Sequence, residues 1–287
     1  MDDRLRLLVI DGNTRATNAH NIAAGGSATG PAYREVLEAL GQAVQVTILE
    51  AAEADAGLPA GVLLDQFDGV AWSGSALNIY DMTPPVRRQI ELARNVFAAG
   101  VPIFGSCWGL QVTTVAAGGV VRRNPRGREL GVARHIALSE AGRRHALYSG
   151  RPCVFDALCV HLDEVETLPP DAVVLAGNRI SSVQGAEIRS GRGVCWGVQY
   201  HPEFDFAMIA TVVARYGDRL VETGFFPDPA ARLRFVEDWR QLQQQPERRD
   251  LAWLYGLEPT VTDAAERRRD LANWLEHLVK PRAAART

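Results

Sequence analysis

Three features of the 287-residue chain predict an α/β fold: a doubly wound, mostly parallel sheet with an additional small antiparallel sheet and a helical C-terminal extension. From Leu5 to Ala117, short apolar runs alternate with helix-patterned stretches, the order of parallel strands joined by crossover helices. Beyond Gly118 the texture changes to short strand-like runs. From about Pro227 the chain becomes rich in Arg, Glu, Leu, Ala and Gln at helical spacing. Residues 1–226 are therefore expected to form one α/β domain and residues 227–287 a helical extension.

Leu5 to Ile10, apolar but for Arg6, is stopped by Asp11-Gly12, which predicts a buried parallel strand. Asn13 to Gly30 is small, polar and glycine-containing, and reads as a long loop of the kind often used functionally. Pro31 to Leu40 reads as a helix stopped by Gly41. Strands are expected at Ala43–Leu49, Gly69–Trp72 and Val101–Phe104. A helix opened by Pro84 and Pro85 runs to Ala99, and another spans Trp108 to Ala117. The second half predicts meander strands at Val132–Leu138, Cys153–Val160, Ala172–Ala176, Ile180–Val183 and Val194–Gln199, folded back on the core. The tail predicts helices at Ala230–Gln244 and Ala264–Leu278, with Phe235, Trp239, Leu242, Trp274 and Leu278 on their apolar faces.

A formal net charge of −3 gives no electrostatic case for a nucleic-acid partner, although Arg122, Arg123, Arg126 and Arg128 cluster. The N-terminus lacks the apolar core of a secretory signal, and no apolar run reaches membrane-spanning length. The four cysteines, Cys107, Cys153, Cys159 and Cys195, are scattered without metal-ligand spacing, so free thiols in a reducing cytoplasmic setting are expected, with no metal and no cofactor.

The chemistry concentrates in VPIFGSCWGLQ, Val101 to Gln111. Gly-x-Cys-x-Gly between strand and helix has the form of a nucleophile elbow. Gly105 and Gly109 relieve the collisions of a tight turn, and the apex thiol projects at the strand's carboxyl end, where open α/β sheets place ligands. The start of the following helix favours thiolate, and nearby backbone N–H groups can hold an oxyanion. GVQYHPE, Gly197 to Glu203, supplies a base at the end of another strand. Pro202 stiffens the backbone at His201, and Glu203 is placed to orient the imidazole, giving a Cys107–His201–Glu203 catalytic triad.

These motifs, with FDGVAWSGS (Phe67 to Ser75) and HLDEVETLPPDAVVLA (His161 to Ala176), resemble the class I glutamine amidotransferases, in particular the branch similar to the glutaminase domain of GMP synthase. The resemblance covers Leu5 to Phe225. It implies that Cys107 attacks the glutamine side-chain amide, that His201 passes a proton to the leaving ammonia, and that Glu203 orients His201. It places the oxyanion hole at backbone N–H groups of the Ser73-Gly74-Ser75 turn and of Trp108, and puts Gln111 and the His161 segment beside the substrate. Three departures stand out: Ser73-Gly74-Ser75 where the family often has Gly-Gly-Pro, the long Asn13–Gly30 segment, and the tail.

The leading expectation is a glutaminase that forms a thioester intermediate and passes ammonia to a separate synthetase or ligase subunit. No ATP-binding signature accompanies it in this chain. The tail offers a surface for such a partner or for homo-oligomers. A γ-glutamyl hydrolase acting on a larger γ-glutamyl amide or peptide is the alternative within the same chemistry. A non-catalytic regulatory or binding protein is the alternative outside it.

Overall fold

The computed structural model describes residues 4–286; Met1 to Asp3 and Thr287, the ends of the two expected units, lie outside the described residues. In chain order the elements are β1 (Leu5–Asp11), α1 (Arg15–Ala23), α2 (Thr29–Glu38), β2 (Val44–Glu50), β3 (Gly69–Trp72), α3 (Pro84–Ala99), β4 (Ile103–Ser106) and α4 (Trp108–Ala116). There follow β5 (Val120–Arg123), β6 (Glu129–Leu138), α5 (Glu140–Arg144), β7 (Val154–His161), β8 (Asp163–Thr167), β9 (Ala172–Gly177), β10 (Gly185–Ser190) and β11 (Gly193–Val198). The helices α6 (Phe206–Tyr216), α7 (Arg219–Glu222), α8 (Pro229–Gln244), α9 (Arg249–Leu254), α10 (Pro259–Thr262), α11 (Ala264–Arg267), α12 (Arg269–Trp274) and α13 (Lys280–Ala284) complete the described chain.

Nine strands form one mixed sheet in the order β2-β1-β3-β4-β11-β10-β9-β6-β7, and β5 pairs with β8 as a small antiparallel sheet. The strands from β2 to β11 in that order are parallel, and from β11 outward every pairing is antiparallel. Strands β6, β7, β9, β10 and β11 of the second half thus continue the main sheet, because β11 inserts beside β4.

Alternate residues of the central strands face opposite layers. Leu7, Val9, Ala71 and Phe104 pack under α2 and the tail residues Leu271, Trp274, Leu275 and Val279. Leu8, Ile10, Val70, Trp72 and Ile103 pack under α3 and α4. A third cluster joins α6 to Val236, Trp239 and Leu242 of α8 and to Leu130 and Leu158 of the sheet. The tail is integral to these layers. Trp274 sits edge-on to Phe104 at 5.9 Å, and a Cβ on Gly69 would lie 2.8 Å from its Cζ2. Arg282 donates to the Gly100 carbonyl at 2.7 Å and Arg286 to that of Phe67 at 3.1 Å, so the chain end runs beneath the amino ends of β4 and β3.

Two local expectations are corrected. Asn13–Gly30 is not a loop: it holds α1 and the start of α2. Apolar periodicity could not reveal α1, since its buried residues are Asn18 and Asn21 and its amino end is capped by Thr14, which accepts from Thr17 N–H at 3.2 Å. Ile180–Val183 is not a strand. Asn178 Oδ1 accepts from Ile180 and Ser181 N–H at 3.0 and 2.8 Å, bending the segment into a side-chain-capped turn, and the strand begins at Gly185. Strands β5 and β8 escaped the sequence reading because VVRR and DEVET mix charges into a short pairing. Among the described residues, no helix is long and apolar enough to cross a membrane.

Candidate active site

Cys107 stands between β4 and α4 with φ 50° and ψ −95°, a conformation that costs a non-glycine residue on the order of 1–3 kcal/mol. The crowding around it demands the flanking glycines. A Cβ on Gly105 would lie 2.6 Å from the Gly109 carbonyl carbon, and one on Gly109 would lie 2.7 Å from the Trp72 carbonyl oxygen. Cys107 N–H donates to Val198 O at 2.7 Å, tying the turn to the strand that leads to His201. Before it, Ser106 Oγ meets the buried Tyr33 hydroxyl at 3.0 Å. The thiol is 5% exposed and lies 3.6 Å from Val160 O.

His201 follows β11, its N–H donating to Leu158 O at 2.8 Å. Its Nδ1 and Glu203 Oε1 are 2.7 Å apart, while its buried Nε2 has no protein hydrogen-bond partner. Phe204 stacks on the ring at 3.8 Å, and a Cβ on Gly74 would lie 2.5 Å from its Cε1. Glycine at 74 therefore lets the turn after β3 approach the imidazole. Burial alone would lower the His201 pKa, but the charges of Glu203 and Cys107 outweigh it and raise the value to about 10. The structure thus brings Cys107, His201, Glu203 and Gly74 together.

The 73–76 turn is anchored to the segment after β1. Gly12 N–H donates to Ser73 Oγ at 3.0 Å, and Ala76 N–H donates to Asn13 Oδ1 at 2.9 Å. Asn13 in turn bonds Thr29 of α2 at 2.8 Å, and buried Asp11 accepts from Asn18 and from Gly30 N–H, each at 2.8 Å. Ser75 Oγ accepts from Leu77 N–H. Trp108 places its backbone at the first position of α4 and its indole in the core, donating to Gln89 at 2.8 Å.

Gln111 lines the same cavity as Cys107, its amide 3.3 Å from Gln199 Oε1 and 3.4 Å from Asp163 O. His161 also lines it, but both ring nitrogens are engaged, with Asp163 O at 3.0 Å and Glu129 Oε2 at 2.9 Å. Both nitrogens of its ring are thus taken up within the protein. Glu129 gathers Asn178 and Gln184 as well, each at 2.7 Å. This buried polar layer of Glu129, Asn178, Gln184 and Gln199 was missed in the sequence. Its members lie at strand ends and in the turn between β9 and β10, far apart in the chain, where no local pattern marks them.

The cavity at Cys107 is about 310 Å³ and rimmed by Arg123, Arg128, Arg215 and Arg219, with Tyr80 and Asp163 opposite in chemistry. Tyr80 donates to Asp163 at 3.1 Å, and burial raises the Asp163 pKa. The arginine cluster seen in sequence divides here. Arg122 pairs with Glu164 and Glu166, at 3.1 and 2.6 Å, whereas Arg128 stacks on Tyr216 at the cavity. Of the other thiols, Cys159 and Cys195 are buried, with burial pushing Cys195 up to about 12, and Cys153 is exposed.

A family model for class-I glutamine amidotransferases matches residues 31–209. A γ-glutamyl-L-1-hydroxyisopropylamide hydrolase from a Pseudomonas species is 35% identical over 98% of this chain and 95% of its own. A GMP synthase from Thermosipho africanus is 31% identical over 52% of this chain, which spans only 25% of that protein. The solved glutamine amidotransferase of Thermotoga maritima superposes with a TM-score of 0.65 at 18% identity, over 96% of this chain and 99% of that one. The thiol-bearing turn, the mixed sheet and these likenesses agree: the chain belongs to the class-I glutamine amidotransferase family.

Proposed function

We infer that the protein hydrolyses the amide bond of a γ-glutamyl amide through a thioester on Cys107, with Cys107, His201 and Glu203 as its catalytic triad. The observation that carries this is the strained cysteine within interaction range of an imidazole whose Nδ1 is held by a carboxylate at 2.7 Å. The thiolate adds to the γ-carbonyl carbon, forming the C–S bond while the carbonyl π pair moves onto oxygen. Backbone N–H groups of the Gly74-Ser75 turn and of Trp108 are the candidates to hold that oxyanion. As the pair returns, the C–N bond breaks and His201 Nε2 gives its proton to the departing nitrogen. Water then loses a proton to His201 and its oxygen displaces the thiolate, releasing glutamate. The arginine rim suits the glutamyl α-carboxylate, and Asp163 with its neighbouring carbonyls suits the α-ammonium.

The choice between glutamine and a substituted amide turns on likeness over nearly the full length to a hydrolase of the second kind. Comparing kcat/KM for glutamine and for γ-glutamyl amides of small alkylamines tests it, with the substituted amides expected to be better substrates. The second reading, a glutaminase that hands ammonia to a separate synthetase, draws on the partial GMP synthase likeness. It requires glutamine to be preferred and its cleavage to rise when a partner is added. A working thiolate fits a reducing, cytoplasmic compartment.

A further inference from the structure

Val160 to Asp163 wall the Cys107 cavity on one side, and the thiol lies 3.6 Å from Val160 O. Among the described residues, Asp163 is the one carboxylate that lines this cavity. Glu129 lines no part of it, yet Glu129 is tied to the wall. It stands opposite His161 across β6 and β7, where paired residues share a face of the sheet. Its buried Oε2 meets His161 Nε2 at 2.9 Å and accepts from Gln184 at 2.7 Å, and its Oε1 accepts from Asn178 at 2.7 Å. The ring's other nitrogen, Nδ1, lies 3.0 Å from Asp163 O. A carbonyl only accepts, so Nδ1 is the donor, and Glu129 fixes the ring that makes this bond. Gln111 donates to the same carbonyl at 3.4 Å and to Gln199 Oε1 at 3.3 Å. Gln199, two residues before His201, donates its N–H to Gln184 O at 3.0 Å. The layer thus closes on itself, from the wall through Glu129 and Gln184 to the strand end that carries the imidazole.

We propose that Glu129 is a positioning residue for substrate recognition: acting through His161, it holds Asp163 by its backbone so that the Asp163 carboxylate meets the α-ammonium of the glutamyl group. Tyr80 holds that carboxylate from the other side, at 3.1 Å. A carboxylate suits position 129 because two oxygens there serve three nitrogen partners. An amide offers one acceptor oxygen and would turn an N–H toward another donor. An apolar side chain would release the His161 ring, and with it the direction of Asp163.

This proposal rests on the γ-glutamyl amide reading, and a pair of substrates separates the two. kcat and KM are measured for γ-glutamyl ethylamide and for glutaryl ethylamide, which keeps the scissile amide and the carboxylate but lacks the ammonium. The wild type should favour the amino substrate in kcat/KM by about tenfold or more, the worth of one buried hydrogen bond to a charged group. Glu129→Leu, checked by its thermal midpoint and by an unchanged rate of iodoacetamide alkylation at the Cys107 peptide, should bring that ratio near one. It should do so by raising KM for γ-glutamyl ethylamide, with kcat held within about threefold. His161→Phe keeps the ring volume and loses the donor to Asp163; it should have the same effect, and it carries the test if Glu129→Leu does not fold. Glu129→Gln, which retains one oxygen for His161, should keep most of the preference. A loss shared equally by both substrates, or a preference that survives these two replacements, overturns the role of Glu129 and leaves the reading intact. So does a wild type that cleaves both substrates equally well. A wild type that cleaves neither of them, nor glutamine, overturns the reading as well.

Discussion

At the scale of single residues, the proposed chemistry rests on the strained turn at Cys107 and the buried pair of His201 and Glu203. Cys107→Ser should lower kcat by at least roughly a thousandfold with an unchanged thermal midpoint, since a hydroxyl keeps the packing but not the nucleophile. A glutamine-like electrophile should modify Cys107 and spare the exposed Cys153, whereas a general alkylating agent should find Cys153 first. Glu203 is a main source of the raised His201 pKa. Its replacement by Gln should let the imidazole lose its proton at lower pH, moving the alkaline limb of kcat/KM toward acid. A loss of roughly a hundredfold or more at the optimum is expected, as when the orienting acid of a triad is neutralised. The sign for stability is the same. A pairing that raises a histidine pKa stabilises fully below the ordinary value of about 6.5 and loses that contribution as pH rises through about 10.

Among the elements, α1 and the tail do more than connect. Helix α1 presents Asn21 to one cavity, and the segment before it holds the 73–76 turn through Asn13. Asn13→Ala should therefore raise KM or lower kcat by loosening the turn, measured against a wild-type thermal midpoint. In the tail, Asp270 of α12 takes two hydrogen bonds from Arg151, at 2.8 and 3.0 Å, and one from Tyr200 at 2.7 Å, all buried. Tyr200 adjoins His201, so the tail is coupled to the site through one residue of backbone. Asp270→Ala leaves a buried guanidinium unpaired and should cost about 3–5 kcal/mol in denaturant unfolding. Truncation before Pro227 should yield no folded core, because it strips Trp239, Leu271, Trp274 and Val279 from the apolar layers. A soluble, cooperative fragment would refute that expectation.

Across the whole molecule, what could be read in the sequence follows the range of the interactions. The parallel half was legible because its strands are mostly apolar and alternate with helix-patterned stretches, and its turns carry Gly105, Gly109 and Pro202 at fixed offsets. The meeting of Cys107 with His201 was legible because both motifs end neighbouring parallel strands, β4 and β11. Helix α1 was not, since polar contacts to Asp11 and Thr29 hold it rather than an apolar stripe. Nor was the tail's role, which depends on Arg151 and Tyr200 meeting Asp270 from distant parts of the chain. The buried layer around Glu129 was invisible for the same reason.

The most direct measurement is peptide mass mapping after rapid acid quench during turnover of a γ-glutamyl alkylamide. The account predicts a glutamyl adduct on the peptide holding Cys107 and on none holding Cys153, Cys159 or Cys195, with the adduct absent in Cys107→Ser. Steady turnover by the Cys107→Ser protein, or an adduct on another cysteine that forms and decays at the turnover rate, would contradict it.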